Sequence, residues 1–561
     1  MRERVEALLL EAARKALTEH DAERARALDR VSVVPTKTPE HGDFATPVAL
    51  GEAKRLGISP RDLAERIVAS VEDPERLIER LEIAGPGFIN VFMARSQWHD
   101  ILRRALQEDM QYGLSDAGAG RNVQIEFVSA NPTGPITIGH GRNAVLGDAI
   151  ARLLEATGHK VTREYYFNDA GNQMRVLGES LQTRYQQVLA GAPPDERLPE
   201  GFYGGLYLRD TAEKLLREHG RDLDWSLDQF RLAAQHDVFA MIERTLEQLK
   251  IRFDVRFNER SLYETHQVEQ ALADLRATGA VYEQDGAVWL RASDIGLERD
   301  RVLMKSSGEP TYLLPDIAYH RDKFKRGFDR IIDVLGPDHI DQFPYVKAAM
   351  TKLGFDGERM EVAIYQWVTV IRDGKPVKMS KRLGNYVTVD EVVEEVGTDV
   401  FRFFMVERRS TSALEFDVDL AKERSDRNPV YKIQYAHARL CSIGRKAAET
   451  GTPELAALDP NPSAQVLSRL STPAELELVK IIGRYPDVVA HAAEAREPQE
   501  IARYVLELAN AFNAYVTDGK RHRVLSDDLE LSCARLYLVR AVRITLRNGL
   551  NLLGITAPER M

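Results

Sequence analysis

The chain has 561 residues, 44% of them hydrophobic and 29% charged, with a formal net charge of −10, which excludes a disordered polymer and implies about three to five domains in place of a single core. Cys441 and Cys533 stand far apart without C-x-x-C spacing, which argues against a thiolate zinc site or a disulfide framework and fits a reducing cytoplasm. No apolar run approaches the ~18–20 residues needed to cross a bilayer, and the acidic balance excludes only a protein coated with positive charge, since a local basic face suffices for nucleic acid.

From the N-terminus, Val5, Leu8, Leu9, Ala12, Ala13 and Leu17 recur at helical spacing among Glu3, Glu6, Glu11 and Glu19, which predicts an amphipathic helix and not a secretory core. Residues 37–49 are rich in turn formers, and residues 81–94 read as two strands around Gly85-Pro86-Gly87, so the first 112 residues form a small α+β domain. At 123–128 the alternation of Val123, Ile125 and Phe127 with Gln124, Glu126 and Val128 predicts a strand ending at the turn 129–135. Val145, Ala149 and Leu153 beside Leu146, Ile150 and Leu154 predict a helix closed by Gly158, and 161–167 is the next strand. Strand, helix and strand form a βαβ unit that opens a parallel sheet. Further strands are expected only at 330–335 and 363–371, so a mostly helical insertion, including 225–250, splits the sheet; residues 431–561 are again helical, with a Pro-containing loop at 459–463. There is no internal repeat or low-complexity tract.

Residues 139–144 fit G-x-G-x-x-A, with Glu164 near where a ribose-binding acid would be sought. A dinucleotide loop should follow its strand at once, however, and here Pro132-Thr133-Gly134-Pro135 intervenes. A phosphate site at the helix N-terminus, with backbone N–H groups and His140 facing the phosphates, fits better. Downstream, Lys378-Met379-Ser380-Lys381 follows an Asp373-Gly374 turn and precedes Gly384-Asn385, so two lysines flank a hydroxyl on a loop able to bring positive charge to a leaving pyrophosphate. Thr137-Ile138-Gly139-His140 and Lys378-Met379-Ser380-Lys381 resemble the HIGH and KMSKS signatures of class I aminoacyl-tRNA synthetases. The resemblance implies attack of an amino-acid carboxylate on the α-phosphorus of ATP, the substrate, with Mg2+ bound to its phosphates and no all-protein metal cage. Thr137 stands where the signature commonly has histidine; a hydroxyl cannot become cationic, which shifts the work toward His140, Lys378 and Lys381.

The stretches 126–135, 167–173, 312–316 and 434–439 resemble arginyl-tRNA synthetases, and the likeness runs over essentially the whole chain. It implies an α/β fold, a class I Rossmann-like parallel sheet split by an insertion, with a small N-terminal α+β domain and an all-α C-terminal domain. The expected boundaries are 1–112 for the N-terminal tRNA-binding domain, 113–175 and 298–372 for the sheet halves, 176–297 for the insertion, 373–430 for the lysine-rich loop and connecting region, and 431–561 for the anticodon-binding domain. By the same likeness Thr137, His140, Lys378 and Lys381 are catalytic, and Gly139, Gly336, Asp338, His339, Met379 and Ser380 join His140 and the two lysines on ATP. Glu126, Asn131, Tyr312 and Asp316 hold arginine, whose guanidinium fork calls for carboxylates and a ring to fix its plane. Left open is the plainer alternative that Asp316 caps a helix and Tyr312 packs in a core.

The last helices carry Arg535, Arg540, Arg543 and Arg547 behind residues 520–523, with Tyr435, Tyr515 and Tyr537 interleaved, a composition that suits single-stranded RNA or a solvated face. The resemblance places tRNA contacts at Tyr435, Arg439 and Met561. The expected partners are tRNA(Arg), L-arginine and ATP, for a cytoplasmic monomer without membrane attachment. A non-catalytic RNA-binding paralogue or a dinucleotide-binding oxidoreductase is the alternative.

Overall fold

The computed structural model describes residues 2–561 apart from Lys37, Ala170, Asp222, residues 378–385 and Lys520. Two compact units emerge, one of residues 1–112, 439–485 and 510–545, the other of residues 113–438, 486–509 and 546–561. The C-terminal helices thus contribute segments to both units.

The second unit is built on five parallel strands, β1 (Asn122–Glu126), β2 (Lys160–Phe167), β3 (Val255–Asn258), β4 (Arg330–Leu335) and β5 (Met360–Ile364), in the order β5-β4-β1-β2-β3. Chain order runs outward from β1 through β2 to β3, then returns to its other side with β4 and β5. The reversal lies between β1 and β4, and the crevice beyond their carboxyl ends is where sheets of this kind bind ligands. In β1 the polar residues Gln124 and Glu126 are as buried as Val123 and Ile125, as a central parallel strand covered on both faces requires.

Helix α1 (Ile138–Ala156) crosses from β1 to β2 and is buried almost all round. Two glycines permit that: a Cβ on Gly147 would stand 2.3 Å from the Phe127 ring, and one on Gly141 would stand 2.6 Å from Val389 Cγ2. In mid-helix, Asp148 Oδ2 lies 2.5 Å from Arg402 Nη2, whose other donors reach Leu553 O and Leu249 O. Removing one partner of a buried pair strands the other charge, so Asp148→Ala is expected to cost about 3–5 kcal/mol, read as a lower thermal unfolding midpoint; an unchanged midpoint would contradict the pair's role. Burial raises the Asp148 carboxyl, but Arg402 and Arg152 outweigh it and hold it below its ordinary range. Its contribution is therefore complete above about pH 4 and is lost as pH falls through the lowered value.

Two expectations about the sheet need correction. Residues 363–371 are not one strand: β5 ends at Ile364, and Val368–Arg372 belongs to a separate sheet with Lys375–Pro376 and Leu414–Asp417. Between them the buried Arg142 of α1 takes Gln366 O at 2.7 Å and Ser412 O at 2.9 Å, which turns the chain away. Nor does the sheet wait until residue 330 for its next strand, since the stretch 176–297, mostly helical as expected, already supplies one. Its helices α2 (Asn172–Leu189), Leu206–His219 and Leu227–Gln248 share an apolar core, but it also supplies the edge strand β3, and Val281–Gln284 and Ala287–Leu290 form an antiparallel sheet with Arg301–Met304. Helix α3 (Leu313–Lys325) leads into β4, and α4 (Phe343–Lys352) joins β4 to β5.

In the first unit the helix Arg2–Thr18 buries Val5, Leu9, Ala12, Ala13 and Leu17, the face its spacing predicts. The strands Ile78–Ala84 and Phe88–Met93 pair antiparallel across Gly85-Pro86-Gly87, within a four-stranded sheet completed by Val34–Pro35 and Phe44–Thr46. The helix Pro473–Ala495 contains Pro486, which cannot donate to Ile482 O. Tyr112 Oη, buried, donates to that carbonyl at 2.9 Å in its place.

Candidate active site

Beyond β1 the backbone is forced into an uncommon shape, with φ of 77° at Val128 and 43° at Ser129. A β-branched residue rarely adopts that conformation, and such strain persists only where the surroundings hold it. Asn143 of α1 does so: its Oδ1 accepts Val128 N–H at 2.5 Å and its Nδ2 donates to Val334 O at 2.8 Å. One buried amide therefore fixes the ends of β1 and β4 on either side of the crevice.

The loop after the strained turn is tied down at several points. Tyr165 Oη donates to Ala130 O, and Asn131 accepts Asn168 N–H and donates to Gln173 Oε1, each at 3.1 Å. Thr137 is the N-cap of α1 but caps no backbone N–H; its Oγ1 lies 3.1 Å from His140 Nδ1. With no side-chain cap there, the positive end of the helix dipole is turned toward an anion.

Lys378, Met379, Ser380 and Lys381 lie outside the described residues, yet both flanks of their loop are placed. Before it, Val377 N–H donates to Val370 O; after it, Val387 O accepts Ile138 N–H at 3.2 Å, Val389 N–H donates to Ile136 O at 2.9 Å, and Thr388 bridges Thr137. The chain leaving the lysine-rich loop is therefore laced to the first turn of α1, beside His140.

Gly336 starts the short 3-10 turn Pro337–His339 at the carboxyl end of β4, next to β1, and His339 is exposed. The Asp338 side chain lies outside the description. A Cβ on Gly336 would approach the Tyr365 hydroxyl to 3.3 Å.

Of the four residues expected on arginine, Asp316 lies in the first turn of α3, half-buried, with Oδ2 accepting Gln342 Nε2 at 2.8 Å. Tyr312 is the N-cap residue of the same helix and 78% exposed. Neither plainer alternative holds, since Asp316 caps nothing and Tyr312 is outside any core. Glu126 is buried, its Oε2 2.6 Å from Lys323 Nζ and its Oε1 3.3 Å from Ser129 Oγ.

A residue the sequence reading missed joins them. Glu259 follows β3, is nearly buried, and accepts Tyr166 Oη at 2.6 Å. Burial raises its carboxyl, with the neighbouring charges of Asp316 and Asp169 adding to the rise, so the three carboxylates share one region at the strand ends. Such a gathering attracts a cation. The only sequence signal was an acidic residue after a four-residue strand, too short to show a period.

Glu164 is buried, with both oxygens taken by Arg326 and by Tyr319 Oη. It offers no acceptor to a ribose, which removes the support for a dinucleotide site.

On the helix Pro429–Glu449, Tyr435 is 44% exposed and stacks on Tyr431, with Arg439 half-buried further along. Gln434 Nε2 meets Thr556 O and His437 Nδ1 meets Pro558 O, so the tail ending at the exposed Met561 runs along this helix. The broader basic and aromatic set needs correction. Arg535 is buried and binds Glu475 Oε1 and the carbonyls of Arg521 and Arg523, while Tyr515 and Tyr537 are buried as well. These three hold the helices together.

Comparison with known families agrees with this geometry. The family described as "tRNA synthetases class I (R), catalytic domain" matches residues 101–417, "Arginyl tRNA synthetase N terminal domain" matches 3–93, and "DALR anticodon binding domain" matches 433–561. Fold and site together define a class I aminoacyl-tRNA synthetase. The arginine–tRNA ligase of Desulfotalea psychrophila is 45% identical over 96% of both chains, and that of Desulfosudis oleivorans 44% identical over the whole of both. The arginyl-tRNA synthetase structure from Thermus thermophilus matches with a TM-score of 0.76 at 25% identity, over 100% of both chains. The chain belongs to the arginyl-tRNA synthetase family.

Proposed function

We propose that this chain activates L-arginine with ATP and transfers it to the 3′ end of tRNA(Arg), giving arginyl-tRNA, AMP and pyrophosphate, with chemistry in the crevice between β1 and β4. The observation that carries the reading is that the first turn of α1, the end of the lysine-rich loop and the carboxylates Glu126, Asp316 and Glu259 all belong to the carboxyl edge of one parallel sheet.

In the first step an arginine carboxylate oxygen attacks the α-phosphorus and pyrophosphate leaves. The N-terminal donors of α1, Gly139 among them, with His140 and the turn Gly336, Asp338 and His339, hold the nucleotide. Lys378, Met379, Ser380 and Lys381 approach the leaving phosphates, a placement supported by the loop's attachment at Val387 and Val389. Mg2+ enters with ATP as part of the substrate and neutralises phosphate charge. A cation of this kind is carried by phosphate oxygens and water and needs no all-protein cage. In the second step the terminal ribose hydroxyl of tRNA attacks the adenylate carbonyl and AMP leaves.

Asp316 and Glu259 accept the guanidinium fork, Tyr312 closes over its plane, and Glu126 and Asn131 set the α-amino end. Residues 1–112 and 431–561 grip the tRNA, with Tyr435, Arg439 and Met561 as contacts. A cytoplasmic monomer is part of this reading. No helix among the described residues is long and apolar enough to cross a membrane. Charging of tRNA with labelled arginine tests the reading. Arginine is expected to be transferred and lysine rejected by about 10⁴–10⁵, because lysine leaves buried acceptors unpaired; equal transfer of the two amino acids would overturn it.

A further inference from the structure

Three acidic side chains stand in a row across the middle of the sheet. Asp333 on β4 is the register partner of Glu126 on β1, and Glu126 is the register partner of Glu164 on β2. All three are buried. Like charges side by side repel, and a buried carboxylate without a partner is costly.

Helix α3 lies over the row and answers it residue by residue. Arg326, just past its end, forks onto Glu164 at 2.5 and 2.8 Å while its Nε meets Asp322 at 2.8 Å. Lys323, 0% exposed, has Nζ 2.6 Å from Glu126 Oε2 and 2.6 Å from Asp333 Oδ1, and its charge lies 4.4 Å from the Tyr319 ring centre. One turn back, His320 Nε2 is 2.8 Å from Asp333 Oδ2, and its Nδ1 is 2.8 Å from Asp316 O and 3.3 Å from Asp316 Oδ1. An unbroken chain of contacts thus runs from Glu126 through Lys323, Asp333 and His320 to Asp316, the two ends being carboxylates of the arginine site. Spacings of four and three residues along the helix put Asp316, His320 and Lys323 on one face.

The electrostatics differ along the chain: at Glu126 burial, with Asp333, outweighs Lys323 and raises the carboxyl. Burial and Lys323 push His320 down, but Asp333 and Asp316 overcome both and raise it to about 10. Burial likewise works against the Lys323 ammonium, and the two carboxylates more than reverse it.

We propose that Lys323, acting with His320, is a positioning residue for arginine selection: it balances Glu126 before substrate arrives and locks the Glu126 and Asp316 ends of the site into one rigid frame, so that the guanidinium is drawn to the Asp316 end. The proposal rests on Glu126 and Asp316 as arginine-holding residues. Such a frame sets the span between the groups that receive the two ends of the amino acid, and a fixed span is what separates arginine from cations of another length.

The test uses the full-length enzyme carrying Lys323→Met together with Asp333→Asn, an exchange that removes one charge of each sign. Steady-state charging of tRNA is expected to show the KM for arginine raised about tenfold or more, with kcat and the KM for ATP within about threefold. An unchanged KM for arginine, or equal rises for arginine and ATP, would overturn the proposal. If the double exchange lowers the melting temperature below that of the assay, His320→Gln carries the test, with an expected rise of about threefold in the same constant alone. Asp316→Asn separates the two layers: if it leaves the KM for arginine unchanged, the site reading fails, and if it raises that KM while the Lys323 and His320 exchanges do not, only the frame fails.

Discussion

Asp316→Ala is expected to raise the KM for arginine by about two to three orders of magnitude, with the KM for ATP within about threefold. Losing a charge-assisted interaction with a guanidinium and leaving the other buried acceptors short of a partner is worth about 3–4 kcal/mol, and 1.4 kcal/mol is a factor of ten. A purely structural role would not give this asymmetry. Asp316 caps no backbone N–H, and His320 Nδ1 keeps the Asp316 main-chain oxygen at 2.8 Å after the side chain is removed. Steady-state kinetics with each substrate varied in turn decides the matter; equal rises in the two constants would refute the assignment.

His140→Ala is expected to slow adenylate formation by about 10²–10³, the effect of removing one preorganised donor to charge that develops in the transition state. Thr137→Ala should cost less than about tenfold, since Thr137 acts through a single hydrogen bond, worth about 0.5–1.5 kcal/mol. The 3.1 Å contact from Thr137 Oγ1 to His140 Nδ1 orders the two effects under the proposed reading, in which the threonine orients the imidazole and the imidazole would meet the phosphates. Single-turnover measurements at saturating ATP and arginine, with tRNA(Arg) present, compare them. Equal losses would mean that Thr137 touches the nucleotide itself.

Much of this was readable in the chain because the informative segments are long and periodic. The strand predicted at 330–335 has those bounds, and the strand, turn and helix from Val123 to Leu154 put His140 where the pattern of apolar residues required. Short elements carried no such signal. The four residues of β3 hold too few positions to reveal a period, so Glu259 at their end went unread. Buried charge left no local signal. Lys323 is fully buried with nothing in its neighbourhood of sequence to mark it, and Arg535 with Tyr515 and Tyr537, part of a set that suited single-stranded RNA or a solvated face, lies inside the helices. What decides these cases is register: only the pairing of Asp333 with Glu126 shows why a lysine must lie between them. The break at 365–367 depends likewise on Arg142 from a distant helix, which local sequence cannot show.

Arginine-dependent exchange of pyrophosphate into ATP, measured with and without tRNA(Arg), tests the central claim most directly. The account predicts exchange with arginine once tRNA is present and none with lysine. Absence of exchange with arginine and tRNA together, or exchange driven equally by lysine, would contradict it.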